Sequence, residues 1–236
     1  MNTKSPPPPS GEAGRGLVSI RRPSCAFVDQ WGVYLVTDRT QTDGRPLLDV
    51  VTAALSGGVG AVQLRERGLT TRALLDLATA LRAATRAAGA ALLINDRLDV
   101  ALACDADGVH LPGHSFAVEE ARALLGPQRL IGVSTHHPHE VAAAAAAGAD
   151  FAVFGPLFAT PSKAAYGPSL GLDALARARA AAPLPLFAIG GIDATNAAAV
   201  RARGADGVAV IRAVLGADDP AAAAATLRCA VGAQQA

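Results

Sequence analysis

The stretch from residue 184 to 214, LPLFAIGGIDATNAAAVRARGADGVAVIRAV, restricts the fold more than any other part of the chain. Apolar runs at 185–189 and 207–211 read as buried strands, and the segment between them, 195–203, reads as a helix. Two strands joined through a helix run parallel, because the crossover returns the chain to the starting end of the sheet. Gly190 and Gly191 fall at the carboxyl end of the first strand, and Arg212 falls just past the second. Two roles are open for the glycines. A tight turn needing φ > 0 would account for them. Alternatively, residues without Cβ let an anion reach backbone N–H groups, and in an eight-stranded βα barrel the loops after the last two strands commonly form such a phosphate cup. That second role requires six more βα units elsewhere in the chain.

The pattern supplies them. Strands are expected at 33–38, 61–65, 91–94, 108–111, 130–134 and 151–155. Helices are expected at 46–56, 70–88, 98–103, 116–125, 140–147 and 172–181, with a closing helix at 220–231. Thr70 or Thr71 and Gly89 read as the caps of the second helix, and Ser115 reads as the N-cap of the helix at 116–125. One junction recurs as Ala106-Asp107-Gly108, Gly148-Ala149-Asp150 and Gly204-Ala205-Asp206, with a weaker form at Gly58-Val59-Gly60. Repeated junctions imply units packed alike. An open doubly wound sheet is the rival, but polar residues close strand after strand. The expected fold is therefore an α/β TIM (βα)8 barrel, one domain over 32–236. Residues 1–31, with the run SPPPPSGEAGRG, lack hydrophobic periodicity and read as a disordered Pro/Gly-rich tail without the apolar core of a secretory signal.

Composition narrows the partners. A net charge of +1 argues against nucleic acid, whose binders concentrate basic residues on one face. No apolar run is long enough for a membrane span, which needs about 18 or more residues. Cys25, Cys104 and Cys229 have no metal-ligand spacing and suit a reducing cytoplasm.

Strand carboxyl ends converge on one face of a barrel. The residues gathered there are Asp38; Gln63, Arg65 and Arg67; Asn95 and Asp96; His110; Ser134 and His136; Thr160, Ser162 and Lys163; Gly190 and Gly191; and Ile211 with Arg212. The set offers cations and donors for an anionic substrate, one or two acids and a histidine. Each has a plainer use: Arg65 pairing with a carboxylate, Asp96 capping the helix at 98–103, Ser134 satisfying backbone, His136 lying in a surface loop. The run His136, His137, Pro138, His139 does not read as a zinc site, because adjacent histidines point apart and no further ligands stand at suitable spacing.

The segments YLVTD, VQLRER, LLINDRLDVAL, ADGVHL, IGVSTHHPHE, ADFAVFGPLFATPSK, FAIGGI and GADGVAVI, in that order, resemble the thiamine phosphate synthase/TenI family from Tyr34 to Val231. The resemblance implies a TIM barrel acting on thiazole phosphate in thiamin biosynthesis, as a homo-oligomer, with phosphate held by Gly190, Gly191, Ile211 and Arg212. The family has two chemistries. The synthase joins thiazole phosphate to hydroxymethylpyrimidine diphosphate and releases diphosphate, with Mg²⁺. TenI-like thiazole tautomerases shift a proton that makes the thiazole aromatic, with no cofactor. The resemblance implies Gln63 and Arg65 near the pyrimidine or diphosphate, Asn95 and Asp96 in the diphosphate and metal region, and Ser134, Thr160 and Lys163 as further ligands.

Three departures matter. Ser162 stands where the synthase usually has threonine, and Arg67 where it usually has lysine. After ADGVHL, synthases usually continue to a metal-binding aspartate, whereas this chain reads PGHSF, with Ser115 in the acid's place. A hydroxyl is a poorer Mg²⁺ ligand than a carboxylate. On that ground the tautomerase is the expected activity, with His136 as general acid/base. The synthase is the alternative, with Asp96 as metal ligand. A non-catalytic protein binding thiazole phosphate or thiamine phosphate is the second alternative.

Overall fold

The computed structural model describes residue 28, residues 30–159 and residues 169–232. Eight strands alternate with helices: β1 Val33–Val36, α1 Leu47–Ser56, β2 Ala61–Leu64, α2 Thr71–Ala88, β3 Ala91–Asn95, α3 Leu98–Ala103, β4 Gly108–Leu111, α4 Val118–Leu125, β5 Leu130–Thr135, α5 Pro138–Ala147, β6 Phe151–Phe154, α6 Gly171–Ala181, β7 Leu186–Ile189, α7 Ala197–Ala202, β8 Gly207–Val210, α8 Arg212–Leu215 and α9 Pro220–Gly232. Each strand pairs in parallel with the next, and β8 pairs with β1, so the sheet closes. This is the TIM barrel expected from the sequence.

Successive strand residues face opposite sides. Outward residues such as Leu35, Val62, Leu92, Ile94, Ile131 and Val208 pack under the helices in one continuous apolar layer. Inward residues, among them Tyr34, Ala61, Leu93, Phe151, Phe187 and Ala209, fill the barrel. Trp31 and Val28 close its floor. Trp31 is 3% exposed, and its ring lies 5.2 Å from Phe151 and 5.7 Å from Tyr34 and from Phe187. Both residues belong to the segment read as a tail, whose short apolar contribution has no period to reveal it. Residues 1–27, and with them most of that reading, lie outside the described residues.

The recurring junction has a physical cause. Asp107 accepts from Arg82 at 2.6 Å and from the Leu92 N–H at 2.7 Å. Asp150 accepts from Arg122 at 2.6 Å and from the Ile131 N–H at 2.8 Å. Asp206 accepts from Arg179 at 2.9 Å and from the Leu186 N–H at 2.8 Å. In each unit a carboxylate just ahead of one strand binds an N–H in the first two residues of the strand before it and an arginine of the helix that leads into that earlier strand. Three repeats thus start their strands in the same register.

Three helix starts differ from expectation by two residues. The α7 helix begins at Ala197 rather than 195, because Asp193 accepts from the Thr195 N–H at 2.8 Å and from its hydroxyl at 2.6 Å, which holds that stretch in a turn. The α4 helix begins at Val118 rather than 116, with Glu120 accepting from the Ala117 N–H at 2.9 Å, so Ser115 is not its cap. The α5 helix begins at Pro138 rather than 140, because Pro suits the first turn and Glu140 reaches back to the N–H groups of His136 and His137 at 2.6 and 3.2 Å.

Candidate functional site

The strand alternation that fills the barrel also aims its polar residues. Gln63 follows the inward Ala61 by two, and Asn95 follows Leu93 by two. Ser134 follows Leu130 by four, and Ile211, two beyond Ala209, packs on the inner cluster. Register places Asn95 opposite His110. Continuing each strand by a residue or two brings Arg65, Asp96, His136, Gly190 and Arg212 to the carboxyl-terminal mouth.

The β1–β2 side of the mouth is cationic. The Arg65 N–H donates to Thr37 Oγ1 at 2.9 Å, which ties the ends of β1 and β2 together. Burial, then the neighbouring Arg67, lowers the Arg65 pKa, while Asp38 and Glu66 oppose that shift. Glu66 accepts from the Arg39 N–H at 3.2 Å through each oxygen, and burial raises its pKa. Arg67 is exposed, and its carbonyl accepts from Arg39 at 3.4 Å.

At the β3 end, Asp96 sits at φ 65°, in the left-handed region that few non-glycine residues occupy. Its N–H donates to the His110 carbonyl at 2.9 Å, and its carboxylate accepts from the Ser115 hydroxyl. Asp96 therefore does not cap α3, whose preceding residue is Arg97. Ser115, read as a helix cap or as a lost metal ligand, instead orients Asp96.

Gln63, Tyr34, His110 and Ser134 form a hydrogen-bonded file across the interior. Gln63 Nε2 donates to Tyr34 Oη at 2.9 Å, Tyr34 Oη lies 3.4 Å from His110 Nδ1, and His110 Nε2 lies 2.9 Å from Ser134 Oγ. Burial, with a contribution from Arg65, drops the His110 pKa to about 3. Tyr34 gives no sequence signal, since an aromatic in a barrel strand reads as core; only its Oη contacts reveal a second use. His136 donates from Nδ1 to the Gly155 carbonyl, because a carbonyl can only accept. That leaves Nε2 outside this bond, on an exposed residue beside a cleft of about 290 Å³ that Ser134 and Glu140 also line.

Across the mouth, Gly190 and Gly191 have φ 102° and 65°. A Cβ on Gly190 would stand 2.6 Å from Pro156 Cβ, and one on Gly191 would stand 2.8 Å from Phe158 Cβ. The β6 loop is hydrogen-bonded onto this turn, with Leu157 N–H donating to Ile189 at 2.9 Å and Phe158 N–H to Gly190 at 3.0 Å. Both the turn geometry and the close approach demand glycine here. Arg212 opens the short α8, exposed at the rim. Thr160, Ser162 and Lys163 lie outside the described residues.

The arrangement joins a glycine turn and a helix start on one side to an arginine, an aspartate and an asparagine on the other. Residues 33–214 match the TMP-TENI family model, described as thiamine monophosphate synthase. The chain belongs to this family. A thiamine-phosphate synthase from Moorella thermoacetica is 48% identical over 199 residues, which is 84% of this chain and 95% of that protein. One from Methanoculleus marisnigri is 49% identical over 206 residues, or 87% and 98% of the two chains. Among solved structures, the thiamine phosphate pyrophosphorylase from Pyrococcus furiosus superposes with a TM-score of 0.82 at 35% identity, covering 89% of this chain and all of that one (100%). The protein is an enzyme of thiamine biosynthesis. Structures of 3-hexulose-6-phosphate synthase, at 20% identity and TM-score 0.63, share the fold.

Asp96 bears on the family's metal. Mg²⁺ keeps several waters and binds through one or two carboxylates plus substrate phosphates. One carboxylate held in place by the Ser115 hydroxyl, with the Asn95 amide on the same strand end, fits that minimal donor set. Among the described residues no group of three or more His, Cys, Asp or Glu gathers to hold a metal ion.

Proposed function

We propose that the protein is a thiamine phosphate synthase, a transferase that joins hydroxymethylpyrimidine diphosphate to thiazole phosphate and releases diphosphate. The observation that carries this reading is that the mouth has two charged halves. A proton shift on one phosphorylated thiazole needs the glycine-turn half and an acid/base. Arg65 could also steady the carboxylate of a thiazole phosphate carboxylate, but the Asn95–Asp96 pair is surplus to the proton shift, and with Arg65 it suits the leaving diphosphate of a second substrate. The names and near-complete coverage of the relatives support the same order of preference, which reverses the one drawn from Ser115.

In this reading the N–H groups around Gly190, Gly191, Ile211 and Arg212 hold the thiazole phosphate. Arg65, with Arg67 and Lys163, neutralises the diphosphate. Gln63 and Ser134 face the pyrimidine, and Thr160 and Ser162 are further substrate ligands. Asp96 and Asn95 hold Mg²⁺, which supplies charge neutralisation to the departing diphosphate when bound. The barrel mouth keeps the two rings oriented, so the chain's own contribution is positioning and electrostatics. A homo-oligomer, which the family resemblance implies, is part of the same proposal. The thiols of Cys104 and Cys229, both free, suit a cytoplasmic setting.

One observation favours the tautomerase as a second reading: His136 has Nδ1 fixed and Nε2 available, as an acid/base needs. Phosphorus NMR of the protein with both substrates and Mg²⁺ tests the proposal. Diphosphate release that requires both substrates is expected; aromatisation of the thiazole tautomer with no diphosphate released would establish the second reading instead. Saturable binding without either reaction would leave a binding protein.

A further inference from the structure

The file from Gln63 to Ser134 has a direction. Tyr34 and His110 are sealed in the barrel, at 0% and 3% exposure, and neither has a part in the function proposed above. Donor counting assigns the protons. Tyr34 Oη accepts from Gln63 Nε2, so its own proton takes His110 Nδ1 as acceptor. A histidine whose Nδ1 accepts a hydrogen bond is the neutral form and carries one ring proton. With Nδ1 accepting, that proton sits on Nε2 and is donated to Ser134 Oγ. The Ser134 hydroxyl proton then points out of the file. At the other end, Gln63 commits Nε2 to Tyr34, and its carbonyl oxygen is left for a ligand.

We propose that Tyr34 and His110 are positioning residues that hold this proton order, so that the mouth offers a carbonyl acceptor from Gln63 and a hydroxyl donor from Ser134. The proposal rests on the synthase reading and names what the ring presents: an exocyclic amino group toward Gln63 and an unprotonated ring nitrogen toward Ser134. A pyrimidine with oxo in place of amino sets a carbonyl against the Gln63 carbonyl and an N–H against the Ser134 proton. Buried polar groups left unmatched in this way are what reject an analogue. Without Tyr34 Oη or the His110 ring nitrogens, the Gln63 amide is free to turn over and the discrimination falls.

The test is equilibrium binding of hydroxymethylpyrimidine diphosphate and its oxo analogue to the full-length protein by calorimetry, alongside product formation. Wild type is expected to favour the amino form. Tyr34→Phe is expected to lose about tenfold of that preference, the worth of one hydrogen bond, with affinity for thiazole phosphate unchanged. His110→Leu should lose as much, and His110→Gln, which keeps an N–H toward Ser134, should restore most of it. An equal loss for both pyrimidines, or an unchanged preference in the folded variants, overturns the proposal. A wild type that prefers the amino form but makes no thiamine phosphate overturns the synthase reading alone. A wild type that binds neither pyrimidine overturns both.

Discussion

Arg65 carries the largest burden of any single side chain at the mouth. It is half-buried beside Arg67, with Asp38 and Glu66 near enough to oppose the shift that burial imposes. A charged hydrogen bond is worth about 1.5–3 kcal/mol. Arg65→Ala is therefore expected to raise KM for the pyrimidine diphosphate by about 10- to 100-fold, with KM for thiazole phosphate nearly unchanged; steady-state kinetics with each substrate varied reads this directly. An equal effect on both substrates would place Arg65 elsewhere in the reaction. For His136→Gln, the synthase account predicts less than about a tenfold fall in thiamine phosphate formation, since its Nδ1 bond to Gly155 is positional. A fall of about 100-fold or more, in the 10²–10⁴ range of a general acid/base, would restore the histidine to the chemistry. Which residues reach the mouth was largely legible in the sequence, because strand alternation aims Gln63, Arg65, Asn95, Ser134 and Ile211 from their positions alone. What each touches was not. Ser115 was read from its neighbours along the chain, whereas its partner, Asp96, is 19 residues away. Tyr34 was hidden for the same reason: its hydroxyl is used in space, by Gln63 and His110, not in sequence.

The βα units are held in phase by their junctions. Asp150 is the most buried of the three repeated aspartates, with its side chain 3% exposed against 27% for Asp107 and 25% for Asp206. Removing one partner of a buried pair strands the other charge, at a cost of about 3–5 kcal/mol. Asp150→Ala is expected to approach that range in denaturant unfolding, and Asp206→Ala to fall well below it because solvent screens its arginine. Equal losses at the two sites would contradict the burial argument. The repeat itself was readable as a string of small residue, aspartate and apolar strand. Its cause was not, since the arginine partners Arg82, Arg122 and Arg179 lie on helices 25, 28 and 27 residues away. Helix starts moved for a similar reason: Pro138 and Glu140 supply the start of α5 together, ahead of the first apolar position at Val141.

At the scale of the whole barrel, one buried histidine links the site to acid stability. His110 has a folded pKa of about 3, below the ordinary value of 6.5, because the barrel keeps it from water and Arg65 lies close. Between those values the unfolded chain binds a proton that the folded chain refuses, so stability rises with pH across the window. The contribution is complete above about pH 6.5 and is lost as pH falls toward 3, at up to about 1.4 kcal/mol per pH unit. Urea unfolding at pH 7 and pH 4.5 should show this loss in wild type and a shallower one in His110→Gln; identical slopes would mean that His110 titrates normally. The same sealed interior sets the scale of the fold. Trp31, Phe151 and Phe187 fill the floor beneath Tyr34 and His110, so the polar file is confined to the upper layer, where a substrate can meet it. The measurement that bears most directly on the central claim compares two rates on one preparation of the protein. One is thiamine phosphate formed from thiazole phosphate, hydroxymethylpyrimidine diphosphate and Mg²⁺; the other is aromatisation of the thiazole tautomer with no pyrimidine present. The two-halved mouth predicts that the first exceeds the second by orders of magnitude and is lost when Mg²⁺ is chelated. A fast, metal-independent aromatisation with no coupling would contradict it.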